Sequence, residues 1–224
     1  MSPEDALVAA IRTGDGLRQL LREHPGLATR RIDGRSALHI ATDWPGHFPE
    51  VATTIAVLVE AGADVNARFE GSHAETPLHW AASSDDVEAL DALLDAGADI
   101  DADGAVIAGG TPLADARAFA QWRTAHRLVE RGAATTLMDA ATLGLLDRVQ
   151  SYFPGATSEA VNEAFWGACH GGQRQCAEYL LGQGADLNWV PPWEPLTPLD
   201  AARRDEATGL ALWLREQGAK SATG

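Results

Sequence analysis

The sequence predicts an all-α solenoid, a stack of about seven helix-turn-helix units. Three observations carry this. A short phrase, fullest as Thr76-Pro77-Leu78-His79-Trp80-Ala81-Ala82, recurs along the chain. An apolar stretch at helical spacing follows it, as in Val87, Leu90, Leu93 and Leu94. A glycine then closes the unit, as in Gly97-Ala98-Asp99. Thr76 is suited to cap a helix, and Pro77 fits the first turn, where a missing N–H costs nothing. Gly97 is free to take the positive φ of a helix end. A helix pair of this kind has too much apolar surface to stand alone and must stack on its copies.

Ser2-Pro3-Glu4-Asp5 opens the first unit, residues 1–33, with helices expected to about Ala10–Thr13 and from about Asp15 to Glu23. Later units begin at Ser36 (Ser-Ala-Leu-His), Thr76 and Thr111 (Thr-Pro-Leu-Ala). Three more begin at Thr135 (Thr-Thr-Leu-Met), Glu163 (Glu-Ala-Phe-Trp) and Thr197 (Thr-Pro-Leu-Asp). Gly62, Gly97, Gly132, Gly184 and Gly218 close the second helices. Gly62-Ala63-Asp64-Val65-Asn66 and Gly184-Ala185-Asp186-Leu187-Asn188 are near copies. Residues 1–224 read as one domain.

These phrases, at a period of roughly 33 residues, resemble ankyrin repeats over nearly the whole chain. The resemblance implies short β-hairpin fingers between helix pairs, capping units at 1–33 and 197–224, and a concave groove that binds a partner protein. The tryptophan- and histidine-bearing phrases are also similar to a bacterial group of stand-alone ankyrin-repeat proteins. Two departures from the family pattern stand out. Asp43-Trp44-Pro45-Gly46-His47-Phe48-Pro49 is inserted between the helices of the Ser36 unit. Only Ala133 and Ala134 lie between Gly132 and Thr135, so one finger is missing. The neighbouring fingers, Ala98 to Gly110 and the Trp189-Val190-Pro191-Pro192-Trp193 stretch, are long or stiff, and a notch is expected between them.

Lys and Arg total 17 against 32 Asp and Glu, a formal charge of -15. That balance argues against nucleic acid and anionic membranes, which attract basic proteins. The N-terminal sequence lacks a secretory pattern, and no apolar run is long enough to span a bilayer. Cys169 and Cys176 form no CxxC pair, so neither a disulfide framework nor a metal site is expected, and a reducing cytoplasm is the reading.

In an ankyrin unit, the two positions after the Ala-Ala pair point into the groove. By that register the groove carries Asp43 and Trp44, Ser83 and Ser84, Ala118 and Phe119, Thr142 and Leu143, His170 and Gly171, and Arg203 and Arg204. Large aromatics in such a row mark binding. The expected binding residues are Asp43, Trp44, His47, Ser83, Ser84, Asp115, Phe119, Trp122, Trp166, His170 and Trp193. Trp44 and His170 are expected outside the helix-stacking core, and Trp80 and Trp213 within it. His39 and His79 occupy the family's turn-tying position, where Asp200 substitutes for histidine.

His47, Asp115 and His170 have no scaffold role in the pattern and are the catalytic candidates, since imidazole titrates near neutrality. No GxSxG elbow and no glycine-rich phosphate loop with a lysine accompanies them. The acids from Asp85 to Asp103 suit a helix N-terminus and a solvated face, or else a basic partner. The favoured function is therefore a non-enzymatic module binding a partner protein, with no cofactor. The alternative is a small-molecule binder or enzyme with a tryptophan-lined His/Asp pocket.

Overall fold

The computed structural model describes residues 2–222 and contains fourteen α-helices, which form seven consecutive pairs. The chain falls into two compact units, Met1–Ala134 and Thr135–Gly224. The division coincides with the missing finger.

The first unit holds α1 (Pro3–Thr13) with α2 (Leu17–Glu23), and α3 (Ala37–Ala41) with α4 (Val51–Glu60). These are followed by α5 (Pro77–Ser83) with α6 (Val87–Asp95), and α7 (Pro112–Ala118) with α8 (Trp122–Glu130). The second unit holds α9 (Leu137–Thr142) with α10 (Leu146–Tyr152), α11 (Ser158–His170) with α12 (Arg174–Gly182), and α13 (Pro198–Arg204) with α14 (Thr208–Glu216).

The recurring phrase works as its chemistry requires. Ser36 and Thr76 are N-caps with extended backbone, and each receives a histidine from the first turn. The imidazole Nδ1 of His39 accepts from the Ser36 N–H at 3.3 Å, while its Nε2 lies 3.1 Å from the Glu75 carbonyl in the next repeat. His79 repeats this with Thr76 at 3.1 Å and Gly110 at 3.3 Å. Because Nδ1 accepts, Nε2 carries the proton and donates to the carbonyl. Each histidine thus ties one repeat to the next. Asp200 takes the same place in α13, accepting from the Thr197 hydroxyl at 2.8 Å and the Ala222 N–H at 2.8 Å.

Three local expectations are corrected. The cap of α9 is Thr136, not Thr135, because Asp139 at the third helical position closes the capping box on Thr136. The helix expected from Glu163 begins at Ser158, capped by Thr157, so Glu163 to Trp166 lies inside it. The fingers are not strand pairs: among the described residues the only β pairing is an isolated bridge, Ile32 to Arg35. The fingers of the first unit fold back through one or a few backbone bonds, such as Phe69 N–H to Glu75 carbonyl at 2.8 Å and Ala105 N–H to Gly110 carbonyl at 3.0 Å. Neighbouring fingers are joined by Arg31 to the Arg68 carbonyl and by Arg68 to the Asp103 carboxylate.

The core of the first unit is aliphatic, with Leu38, Ile40, Ile55, Leu58, Leu78, Leu90, Leu93, Leu113 and Leu128 all fully buried. Each contributes about 1.5–3 kcal/mol of transfer free energy, which offsets the ordering of short helices that would not form alone. The second unit packs around Phe165, Leu180, Trp213 and Leu214, and takes in Cys169 and Cys176 as free, buried thiols. Burial pushes both thiols above their ordinary range, so neither is a ready nucleophile.

Candidate functional site

The inserted loop places the most exposed aromatic of the first unit. His47 donates its N–H to the Asp86 carboxylate at 2.6 Å, and its Nε2 lies 3.1 Å from the Ser84 carbonyl. Asp86 is buried and caps α6 through Ala89 N–H at 3.1 Å, so the loop is fastened to a rigid helix start. At its other end Arg35 holds Asp43 at 3.0 Å. Between these anchors Trp44 stands 77% exposed.

Trp44 borders a groove of about 290 Å³ that also takes in Thr42, Asp43, Ser83, Ser84 and Phe119. Phe119, at the end of α7, is 46% exposed. Asp43, Trp44, Ser83, Ser84 and Phe119 are five residues that the repeat register singled out. The rest of the lining was not anticipated: His73, Glu75, Trp80 and Val106. Trp80 was expected in the core and is instead a half-buried wall of this groove. Its ring is held edge-on to His39 at 4.8 Å and against Phe69 at 5.5 Å.

Glu75 forms the acidic floor. One carboxylate oxygen accepts from Val106 N–H at 2.8 Å; the other accepts from Trp80 Nε1 at 2.8 Å and lies 3.1 Å from His73 Nδ1. Asp115, only 1% exposed, lies against Glu75 from α7, with the Ile107 backbone beside its carboxyl and no side chain donating to either oxygen. Burial, and then the Glu75 charge, push the Asp115 carboxyl up to about 8. Two acids in contact can hydrogen-bond only if one is protonated, so Asp115 is the donor and Glu75 the acceptor.

The pH consequence has a definite sign. Folded Asp115 keeps a proton that the unfolded chain releases above its ordinary value of 3.8, so its contribution to stability fades as pH rises toward about 8. His39 acts oppositely: burial depresses it to about 4, so the unfolded chain gains protons first as pH falls below 6.5. Wild-type stability should therefore fall from about pH 7 to pH 8.5, by on the order of 1 kcal/mol per pH unit at most, and the melting temperature should fall with it. Asp115→Asn keeps an N–H donor for Glu75 and should flatten that alkaline limb. Parallel melting curves for the two proteins check it; equal slopes would remove the buried acid pair.

Of the catalytic candidates, His47 and Asp115 are both outside the groove lining: His47 fastens the loop and Asp115 sits behind Glu75. Trp122 is the first residue of α8 and half-buried.

The remaining candidates belong to the second unit. His170 is 4% exposed, with Nδ1 at 2.7 Å from the Asp205 carboxylate and its ring 5.4 Å from Trp166. Trp166 is 3% exposed and donates to the Leu196 carbonyl at 2.9 Å. Both are buried, contrary to the expectation that His170 stands outside the core, because Trp193, Leu196, Arg204 and Asp205 pack over them. Trp193 is 49% exposed and packs edge-on against Trp166 and Trp189 at 6.0 and 5.7 Å.

Most of the acidic run is committed within the first unit. Asp85 accepts from Thr124 N–H at 2.9 Å, Asp91 binds Arg127 and Arg131 at 2.9 and 2.6 Å, and Asp103 binds Arg68 at 2.8 Å. Burial works against the Asp91 charge, but the two guanidiniums outweigh it and hold its carboxyl below the ordinary range. Among the described residues no group of three or more His, Cys, Asp or Glu is arranged to hold a metal ion, and no helix is long and apolar enough to cross a membrane.

Residues 33–69 and 74–105 match the family model of the ankyrin repeat. The crystal structure of the human ASB11 ankyrin repeat domain is similar in fold, at 20% identity and a TM-score of 0.56, over 94% of this chain and 97% of that one. No curated protein matches the sequence at a significant level. Residues 33–69 and 74–105 thus carry ankyrin repeats, and the chain has the all-α fold of an ankyrin repeat domain, as its sequence phrases imply.

Proposed function

We propose that this chain is a non-enzymatic recognition module that binds a partner protein in the groove of its first unit. Ankyrin repeats generally serve protein–protein interaction, and the reading here rests on one observation. Trp44 and Phe119, both exposed, flank a hydroxyl-lined depression whose floor is a buried carboxylate. Exposed aromatics around a concavity are the usual anchors of an interface, giving large contact area at little entropic cost. A volume of about 290 Å³ suits one or two inserted side chains more than a fully enclosed metabolite. The enzyme alternative needs His47 or Asp115 at the groove surface, and both are engaged elsewhere. A cytoplasmic setting, suggested by the buried free thiols, belongs to the same proposal.

The test is a displayed peptide library selected on the full chain. Trp44→Ala and Phe119→Ala should each weaken the selected binders about tenfold or more. Leu212→Ala, an exposed apolar position on α14, should leave them unchanged. The melting temperature of Trp44→Ala should stay near wild type, because the ring is mostly in solvent. Binders indifferent to Trp44 and Phe119 would overturn the reading.

A further inference from the structure

We infer that the groove seats a basic side chain of the partner, an arginine or lysine, between Trp44, Trp80 and Phe119 with its charge directed at Glu75. This deepens the recognition reading above and rests on it.

The walls come first. Three aromatic residues from three successive repeats converge on one groove, and the face of an aromatic ring attracts a cation. The indole N–H of Trp80 is already committed to Glu75, which holds that ring beside the acid. The floor supplies the second observation. Glu75 and Asp115 are two buried carboxyls in contact, and among the described residues neither is ion-paired with an arginine or lysine. Glu75 has only His73 at ion-pair distance, and no side chain donates to either Asp115 oxygen. Asp43, the other acid on the groove, is different: Arg35 at 3.0 Å and Arg12 at 3.9 Å already offset it. Buried acids normally have a cationic partner; Glu75, on the groove lining, has only His73 beside it.

A partner's cation would supply the missing charge, and the overall formal charge of -15 would steer it in. An acidic or phosphorylated side chain would meet the Glu75 carboxylate instead. Binding should also move a proton. The charged groups facing the pair are His73 of the finger, His79 on α5 and Arg117 on α7, with Arg68 and Asp103 of the neighbouring fingers acting on His79. Arg117 favours the Asp115 charge, but burial and the Glu75 carboxylate outweigh it, so Asp115 holds a proton in the free protein. A cation over Glu75 favours ionised Asp115, and the O–H proton leaves to solvent.

The experiment uses the full chain and synthetic peptide pools randomised except for one fixed central residue: arginine, lysine, norleucine, glutamine or glutamate. The arginine and lysine pools should bind about tenfold or more tightly than the norleucine and glutamate pools. Glu75→Gln should erase that preference. Should this variant melt too low to titrate, salt gives the same answer: raising it from about 0.05 to 0.5 M should weaken the arginine pool several-fold and spare norleucine. Calorimetry of the arginine pool in two buffers of different ionisation enthalpy should register proton release near pH 7, and Asp115→Asn should abolish it. Trp44-dependent binding without charge preference would overturn this inference and leave the recognition reading standing. Binding independent of Trp44 in every pool would overturn both.

Discussion

His39→Ala should cost about 3–5 kcal/mol of stability, far more than any substitution at the exposed groove aromatics. The imidazole is fully buried and serves three functions. It accepts from the Ser36 N–H, reaches the Ser36 hydroxyl at 2.7 Å, and donates to the Glu75 carbonyl of the next repeat. Truncation strands those buried groups, which costs about 1–3 kcal/mol, and opens a cavity, which adds roughly as much again. The loss should also reach the groove, because His39 backs the Trp80 ring and its carbonyl partner belongs to Glu75 itself. Urea denaturation measures the first effect, and peptide binding at low denaturant the second. A His39→Ala protein within about 1 kcal/mol of wild type would mean that the inter-repeat bond carries little of the fold's stability. His39→Gln, which retains a donor and an acceptor, should recover part of the loss.

The helices were legible because each depends on local chemistry: a capping hydroxyl, a first-turn proline, an apolar face and a closing glycine. Thr76, Pro77 and Gly97 specify their roles with neighbours only a few residues away. The same locality explains the errors. Thr135 and Thr136 are chemically equivalent caps, and only Asp139, paired with Thr136, separates them. Glu163 to Trp166 resembles a helix start in spacing, but Thr157 supplies a better cap upstream. On the groove, the repeat register placed Asp43, Trp44, Ser83, Ser84 and Phe119 because it counts backbone positions, which the fold preserves. It could not find Glu75, whose place on the floor follows from contacts with Val106 and Asp115, 31 and 40 residues away. The signal that existed was Asp115 itself, an acid at an apolar position that had to have a partner. Nothing in the spacing distinguished Glu75 from the acids at 99, 101 or 103. His170 and Trp166 were misplaced for a related reason: register gives the direction of a side chain, but not what packs over it.

The second large effect lies in the second unit, where the same substitution should act with opposite signs at two glycines. Gly171 follows α11 with an ordinary φ of -78°, so backbone freedom is not why glycine stands there. A Cβ at this position would overlap the Thr142 carbonyl oxygen at the end of α9, and the Thr142 carbonyl carbon lies within 2.9 Å of it. Gly167, one turn earlier, is similarly crowded, with Met138 Cγ at 3.1 Å from its would-be Cβ. The two glycines allow α11 to approach α9 closely, and the Thr142 obstacle is backbone that cannot rotate away. Gly171→Ala should therefore force the helices apart and cost about 1–3 kcal/mol or more. Gly182, the last residue of α12, meets nothing within 4 Å. There alanine only removes freedom from the unfolded chain, and Gly182→Ala should stabilise by about 0.4–1 kcal/mol. Denaturation monitored by tryptophan fluorescence separates the cases, since Trp166 and Trp213 are buried in this unit. If Gly171→Ala melts at or above the wild-type temperature, the α9–α11 contact is looser than described, and the packing argument for this unit fails.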